Sequence, residues 1–334
     1  MSFILNAPWI AVQAEQLLAQ RGHAWLLSGP SGLGQYDLAL SLVSAWLCEK
    51  PAPQGACGVC GSCHAIQVRT HADLCVLMPE TVMLELGWPL SEKAQDEIDK
   101  KTRKPSREIR VDAMRDAVEF SQRTNARGQG KAVLVYPAER MNNITANALL
   151  KTLEEPPGDV KFVLATESAH QLLPTIRSRC LAHTMRWPDT VQALSWLADQ
   201  GFDGPEAEVL LHAAGGRPAD VLRQAASGQT PVWWSSFPQA MARGEVAALS
   251  DLNPSQAIDA LQKLSHDLVL RQSGAAPRFF SSDTLPKSKA SLSTLTGWYK
   301  RLTTAARSSE HPFNAGLMLE ALASEARLAI TASH

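Results

Sequence analysis

The sequence predicts an α/β protein with a parallel, doubly wound sheet in its first half and only helices beyond it. Three observations carry that prediction. Short apolar runs alternate with helical patterns up to about Trp187, a glycine-rich segment joins the first run to the helix after it, and past Trp187 only helical periodicity is left. At 334 residues the chain exceeds one ordinary core, so two or three domains are expected.

The first strand is expected in HAWLLS, residues 23–28, followed by the loop GPSGLG and a helix from Gln35 to Leu47 with apolar positions at Leu38, Leu42 and Ala45. Further strands are expected at 73–78 (DLCVLM), 131–136 (KAVLVY) and 161–166 (KFVLAT), with helices at 111–122 and 143–155 between them. Pro156-Pro157 must stop the last of these, because proline has no amide donor and bars the preceding residue from the α region. Residues 79–108 are highly charged with little apolar periodicity, and read as a solvated insertion or mobile loop without a core. Helices follow at 191–198, 206–214 and 219–226, separated by turns at 201–205 and 215–218. After a break near 228–231, further helices are expected at about 235–250, 254–272, 290–308 and 312–331. The boundaries are therefore 1–186 for the sheet domain, 187–228 for a small helical domain and 229–334 for a helical C-terminal domain.

With 45% hydrophobic and 19% charged residues the composition is globular, and no apolar stretch approaches the roughly 18 residues that span a bilayer. No export signal opens the chain, so a cytoplasmic protein with no membrane association is expected. A net charge of −1 argues against a whole-surface electrostatic grip on nucleic acid.

Gly29-Pro30-Ser31-Gly32-Leu33-Gly34-Gln35-Tyr36 has the spacing of a phosphate-binding P-loop, with Gln35 and Tyr36 where lysine and a small hydroxyl residue belong. The lysine would reach the β- and γ-phosphates and the hydroxyl would ligate Mg²⁺; glutamine has no charge and tyrosine is too large. By itself, the segment reads equally as an ordinary glycine-rich strand-to-helix turn. Backbone amides at such a turn can still bind an anion weakly, but ATP hydrolysis is not expected.

Cys48, Cys57, Cys60 and Cys63 crowd into one excursion rich in glycine and proline. In a cytoplasmic chain this favours metal over disulfides. Four thiolates suit one structural Zn²⁺ with no open position, while the CxxCxxC spacing is shared with iron–sulfur proteins. His64 is adjacent but superfluous, and Cys75 and Cys180 read as packed thiols.

Taken in order, GPSGLGQY, the four-cysteine insert, NALLKTLEEPP, FVLAT and RSRC resemble the clamp-loader branch of the AAA+ P-loop proteins over about residues 5–225. The degenerate loop beside an intact Ser178-Arg179-Cys180 is similar to a subunit that does not hydrolyse ATP, rather than to the ATP-hydrolysing tau/gamma subunit. The resemblance implies that the acidic pair expected after KAVLVY is replaced by Pro137-Ala138, with Glu139 one place late. It also implies that the sensor arginine position is Ala219, with Arg217 two residues early, and that Thr166 holds the first sensor position. It further implies that Arg179 is an arginine finger acting in trans on a neighbouring tau/gamma site; read alone, Arg179 is a surface or strand-edge arginine. The domains become an AAA+ sheet domain with zinc module, a helical lid and a C-terminal oligomerisation collar. The implied partners are tau/gamma and delta, with the sliding clamp and primed DNA in the assembly; the isolated chain is expected to be a monomer. Two alternatives stand beside this reading. An active ATPase is opposed by Gln35 and Pro137, and a zinc-dependent nucleic-acid binder by the near-neutral charge.

Overall fold

The computed structural model describes residues 7–308 and 314–332. The chain divides into two compact units, residues 1–187 and 188–334.

The first unit opens with helix α1 (Pro8–Leu18), whose Trp9, Ile10, Gln13, Ala14 and Leu17 recur at helical spacing and are buried. Strand β1 (Ala24–Ser28) leads through the glycine-rich loop into α2 (Gln35–Trp46), and α3 (Gly61–Gln67) closes the cysteine excursion. Then follow β2 (Leu74–Leu77), α4 (Glu80–Glu85), α5 (Glu92–Asp99), α6 (Val111–Gln122), β3 (Lys131–Val135) and α7 (Asn143–Glu154). Strand β4 (Val160–Thr166), the short α8 (Pro174–Arg177) and β5 (Leu181–Thr184) complete the unit. The strands form one sheet in the order β2-β3-β4-β1-β5, and every pairing is parallel. Strands β3 and β4 are buried almost throughout, as a sheet covered on both faces requires. One face carries Leu26, Val133, Phe162 and Leu164 against Met114 and Ala117 of α6 and Leu149 and Leu153 of α7. The α/β prediction thus holds, with the C-terminal ends of β1, β3 and β4 meeting at one edge.

Besides the helices of the insertion, four elements were not anticipated: α1, α3, α8 and β5. Strand β5 is an edge strand whose LAHT sequence is mostly exposed, so it lacks the apolar run that marks the other strands.

The insertion 79–108 departs from expectation more sharply, being neither solvated throughout nor coreless. It folds into α4 and α5; Trp88 and Ala94 are buried, and Arg103 binds Glu80 through two guanidinium nitrogens and Glu97 through Nε at 2.6 Å. Glu80 also accepts from the Ser106 amide at 2.8 Å. The charges that concealed a fold in the sequence neutralise one another, which makes their partial burial tolerable.

The second unit is helical among the described residues: α9 (Thr190–Asp199), α10 (Gly204–Ala213), α11 (Pro218–Ala226), α12 (Pro231–Arg243), α13 (Pro254–Gln272), α14 (Leu292–Ser308) and α15 (Ala315–Thr331). The helix expected to 250 stops at Arg243 because Gly244 takes a left-handed φ of 75°, and only a single 3-10 turn follows. Residues 312–313 of the last expected helix lie outside the described residues; α15 is capped by Asn314. Asp267 is fully buried and accepts the amides of Arg278, Phe279 and Phe280 at 3.0, 2.7 and 2.8 Å, pinning the loop before α14 to α13.

Candidate functional site

The glycine-rich loop leaves β1 at Ser28 and passes close under Met185: a Cβ on Gly29 would lie 2.8 Å from the Met185 Cβ. Gly32 and Gly34 take φ of 80° and 93°, conformations glycine adopts without strain, and Gly34 caps α2. Trp9 of α1 donates to the Leu33 carbonyl at 3.1 Å. This is the strand–loop–helix context a P-loop requires, yet its two diagnostic positions are engaged elsewhere. The Gln35 side chain is 2% exposed and its Nε2 donates to the carbonyls of Gly29 and Pro30 at 2.5 and 2.7 Å, bridging the loop from within.

Tyr36, at the last position of the P-loop spacing, accepts a hydrogen bond from Trp88 Nε1 at 2.8 Å, and its ring lies 5.5 Å from that of Tyr136, tilted by 36°. Burial pushes the phenol's pKa up. Arg69 lies over the Trp88 ring at 5.4 Å and donates to the Gly87 carbonyl, so Tyr36 and Trp88 tie the insertion to α2. Sequence reading found the substitution but not this connection, because Trp88 is 52 residues away. A Tyr36→Phe change leaves a buried indole N–H without a partner. We expect a loss of about 1–3 kcal/mol, concentrated in residues 80–108. Hydrogen exchange reads this: unchanged protection there would disprove the anchor.

Asp37, next along α2, is buried with Oδ1 lacking a hydrogen-bond partner, and desolvation raises its pKa from 3.8 to about 7.

At the ends of β3 and β4, Pro137-Ala138 occupy the expected acidic positions. Glu139 Oε2 accepts from Thr166 Oγ1 at 2.7 Å, while Oε1 accepts from the Glu167 amide at 3.0 Å. Thr166 in turn accepts from the Ser168 amide at 3.0 Å. The late glutamate and the buried threonine therefore close the end of a strand. In the second unit, Arg217 is held locally, its Nε 2.8 Å from the Ala214 carbonyl and 2.9 Å from Asp220.

Arg179 lies in the turn after α8, beyond Ser178, the C-terminal cap of that helix. Its Nη1 donates to the Thr175 carbonyl at 2.9 Å, and Nη2 forms an ion pair with Glu154. Cys180 packs against the sheet core, where burial pushes its thiol up to about 12; Cys75, on β2, is raised likewise.

The four cysteines of the excursion converge. Their sulfurs all lie within 4.8 Å of one another, with Cys60–Cys63 at 3.4, Cys48–Cys63 at 3.7, Cys48–Cys60 at 3.8 and Cys57–Cys63 at 3.9 Å. Tetrahedral thiolates at about 2.3 Å from a central ion are separated by about 3.8 Å, so the donor set fits one metal ion. An iron–sulfur cluster interposes several atoms and needs wider spacing. Amides of Lys50 and Cys57 point at Cys48 Sγ, and that of Cys63 at Cys60 Sγ, at 3.3–3.4 Å. Backbone amides lower the Cys57 and Cys60 pKa values, Cys60 to about 6, while burial raises Cys63 to about 12. His64 is exposed and outside the cluster. Glu49 ties the excursion down, accepting from the Ser62 amide at 3.1 Å and pairing with Arg127 at 3.3 Å.

A family model described as "DNA polymerase III, delta subunit" matches residues 10–188. The chain is 41% identical over 220 residues to DNA polymerase III subunit delta' of Pseudomonas aeruginosa, covering 65% of this chain and 60% of that protein. It is 35% identical over 196 residues to the Escherichia coli subunit delta', covering 57% and 52%. The match to the Yersinia pestis subunit delta' is longer, 30% identical over 296 residues and covering 84% and 80%. The chain thus spans 60% and 52% of the lengths of the first two relatives. Among the described residues no helix is long and apolar enough to cross a membrane. The family model over more than half of the chain and the long match to the Yersinia pestis subunit agree: the chain belongs to the delta-prime family of DNA polymerase III subunits.

Proposed function

We propose that this chain is a non-hydrolysing stator of a bacterial clamp loader. It supplies Arg179 in trans to the ATP site of a neighbouring tau/gamma subunit and helps place the sliding clamp on primed DNA. The observation that carries the reading is the Gln35 amide bridged to the Gly29 and Pro30 carbonyls, which fills the loop where a nucleotide-bound lysine would work. Pro137-Ala138 in place of the acidic pair supports it, and Arg179 in an exposed turn offers a permanent planar charge suited to a γ-phosphate. The four cysteines hold one structural Zn²⁺. In the helical unit we assign residues 187–228 to a lid and 229–334 to a collar that joins tau/gamma and delta. Leu317 and Leu328, exposed on α15, suit such a contact. The isolated chain is a cytoplasmic monomer.

The test is DNA-stimulated ATP turnover by a loader reconstituted from this chain, tau/gamma, delta and clamp. The chain alone should be inactive. Arg179→Ala should lower loader turnover several-fold without blocking assembly, since only the site facing this subunit loses its guanidinium. Hydrolysis by the isolated chain would refute the closed loop, and unchanged turnover with Arg179→Ala would refute the finger.

A further inference from the structure

Arg179 is not held out as a free cation. Nη1 donates to the Thr175 carbonyl at 2.9 Å, folding the side chain over its own turn, and Nη2 pairs with the Glu154 carboxylate. Glu154 is the last residue of α7, which packs against α8, and Arg179 lies in the turn that follows α8, so both partners belong to neighbouring elements of one unit. The side chains are 32% and 44% exposed, which leaves the guanidinium reachable by an incoming anion.

We propose that Glu154 is a positioning residue that competes with nucleotide for Arg179, holding the guanidinium back until a terminal phosphate displaces it. This rests on the reading of Arg179 as a finger in trans. The step is an exchange of counter-ions with no bond made or broken: the guanidinium leaves a carboxylate for a phosphate, and Glu154 returns to water. A terminal phosphate carries more charge than a carboxylate and accepts the same forked hydrogen bonds, so it wins the exchange. A neighbouring site holding only a diphosphate offers no anion at that place, and the internal pair persists. Glu154 thereby makes engagement of the finger depend on the triphosphate.

Partly exposed ion pairs are weak, so removing the competitor should tighten engagement by roughly two- to fivefold. The measurement is the ATP dependence of DNA-stimulated turnover in the reconstituted loader with wild type, Glu154→Gln, Arg179→Ala and the double variant. Glu154→Gln should lower the KM for ATP by that factor and leave kcat unchanged. Its advantage should shrink as salt rises, and should vanish when Arg179 is alanine. Glu154→Asp, which keeps the charge, should return KM towards wild type. A Glu154→Gln loader with raised KM or reduced kcat would mean that Glu154 supports the finger, overturning the proposal. No effect of Glu154→Gln where Arg179→Ala lowers turnover would also overturn it, with the finger reading intact. No effect of Arg179→Ala would remove both.

Discussion

In a Cys48→Ser variant, bound zinc should fall from one ion per chain to none, and residues 48–68 should become the first segment cut by protease. Cys48 is fully buried at the end of α2 and its sulfur is the acceptor for two amides, so it anchors the excursion to the sheet domain. Residues 49–60 contain no helix and no strand, only an isolated bridge between Ala52 and Gly55, and Val59 is 88% exposed. Little apolar burial holds them. A structural zinc contributes on the order of 10 kcal/mol of apparent binding free energy, and loss of one of four thiolates removes much of it. Metal content and the order of proteolytic cuts are the readouts. Wild-type protein purified without metal, with the excursion nonetheless resistant to protease, would contradict the zinc assignment. The rest of the sheet domain should stay folded in the variant, because its core lies on the other elements.

The second large effect concerns pH. Asp37 keeps its proton up to about pH 7 in the folded chain, against an ordinary value of 3.8, because burial penalises the carboxylate. Below about pH 4 the group is protonated in both folded and unfolded chains and costs nothing. Between about pH 4 and 7 the unfolded chain releases the proton and the folded chain retains it, so stability falls by about 1.4 kcal/mol per pH unit. The loss levels off above pH 7 at about 4 kcal/mol. Asp37→Asn keeps the shape and removes the charge, so it should stabilise the protein at pH 8 and do little at pH 4.5. Urea denaturation of both proteins at the two pH values reads the difference directly. An equal effect at both would show that Asp37 titrates normally.

The departures from the P-loop pattern are legible at single positions. Gln35 carries no charge, Tyr36 is larger than the serine or threonine of the pattern and Pro137 is not acidic, all of which can be read without a fold. The cysteine spacing was legible for the same reason: four thiols within sixteen residues restrict the chemistry before any coordinates are known. The insertion was misread because charge patterning along the chain does not reveal pairing across it. Glu80 and Arg103 are 23 residues apart, and only their meeting turns a charged segment into a folded one. Strand β5 was missed because an exposed edge strand has no apolar signature, and α1 because its buried Trp9, Ile10, Gln13 and Leu17 include a polar member.

Local sequence, by itself, determined the alternation of strands and helices, the stop of α7 before Pro156-Pro157 and the departure of Gln35 and Tyr36 from the P-loop pattern. These follow from periodicity, backbone restriction and functional-group chemistry, which act over a few neighbouring residues. Tertiary structure alone decided what the displaced residues do instead: Gln35 bridges the loop, Tyr36 holds Trp88, Glu139 holds Thr166, and Glu154 holds Arg179. Apart from Gln35, whose bonds are local, these partners are separated by 25 to 52 residues along the chain. Buried polar groups must find partners in three dimensions, and a linear pattern does not say which ones they meet.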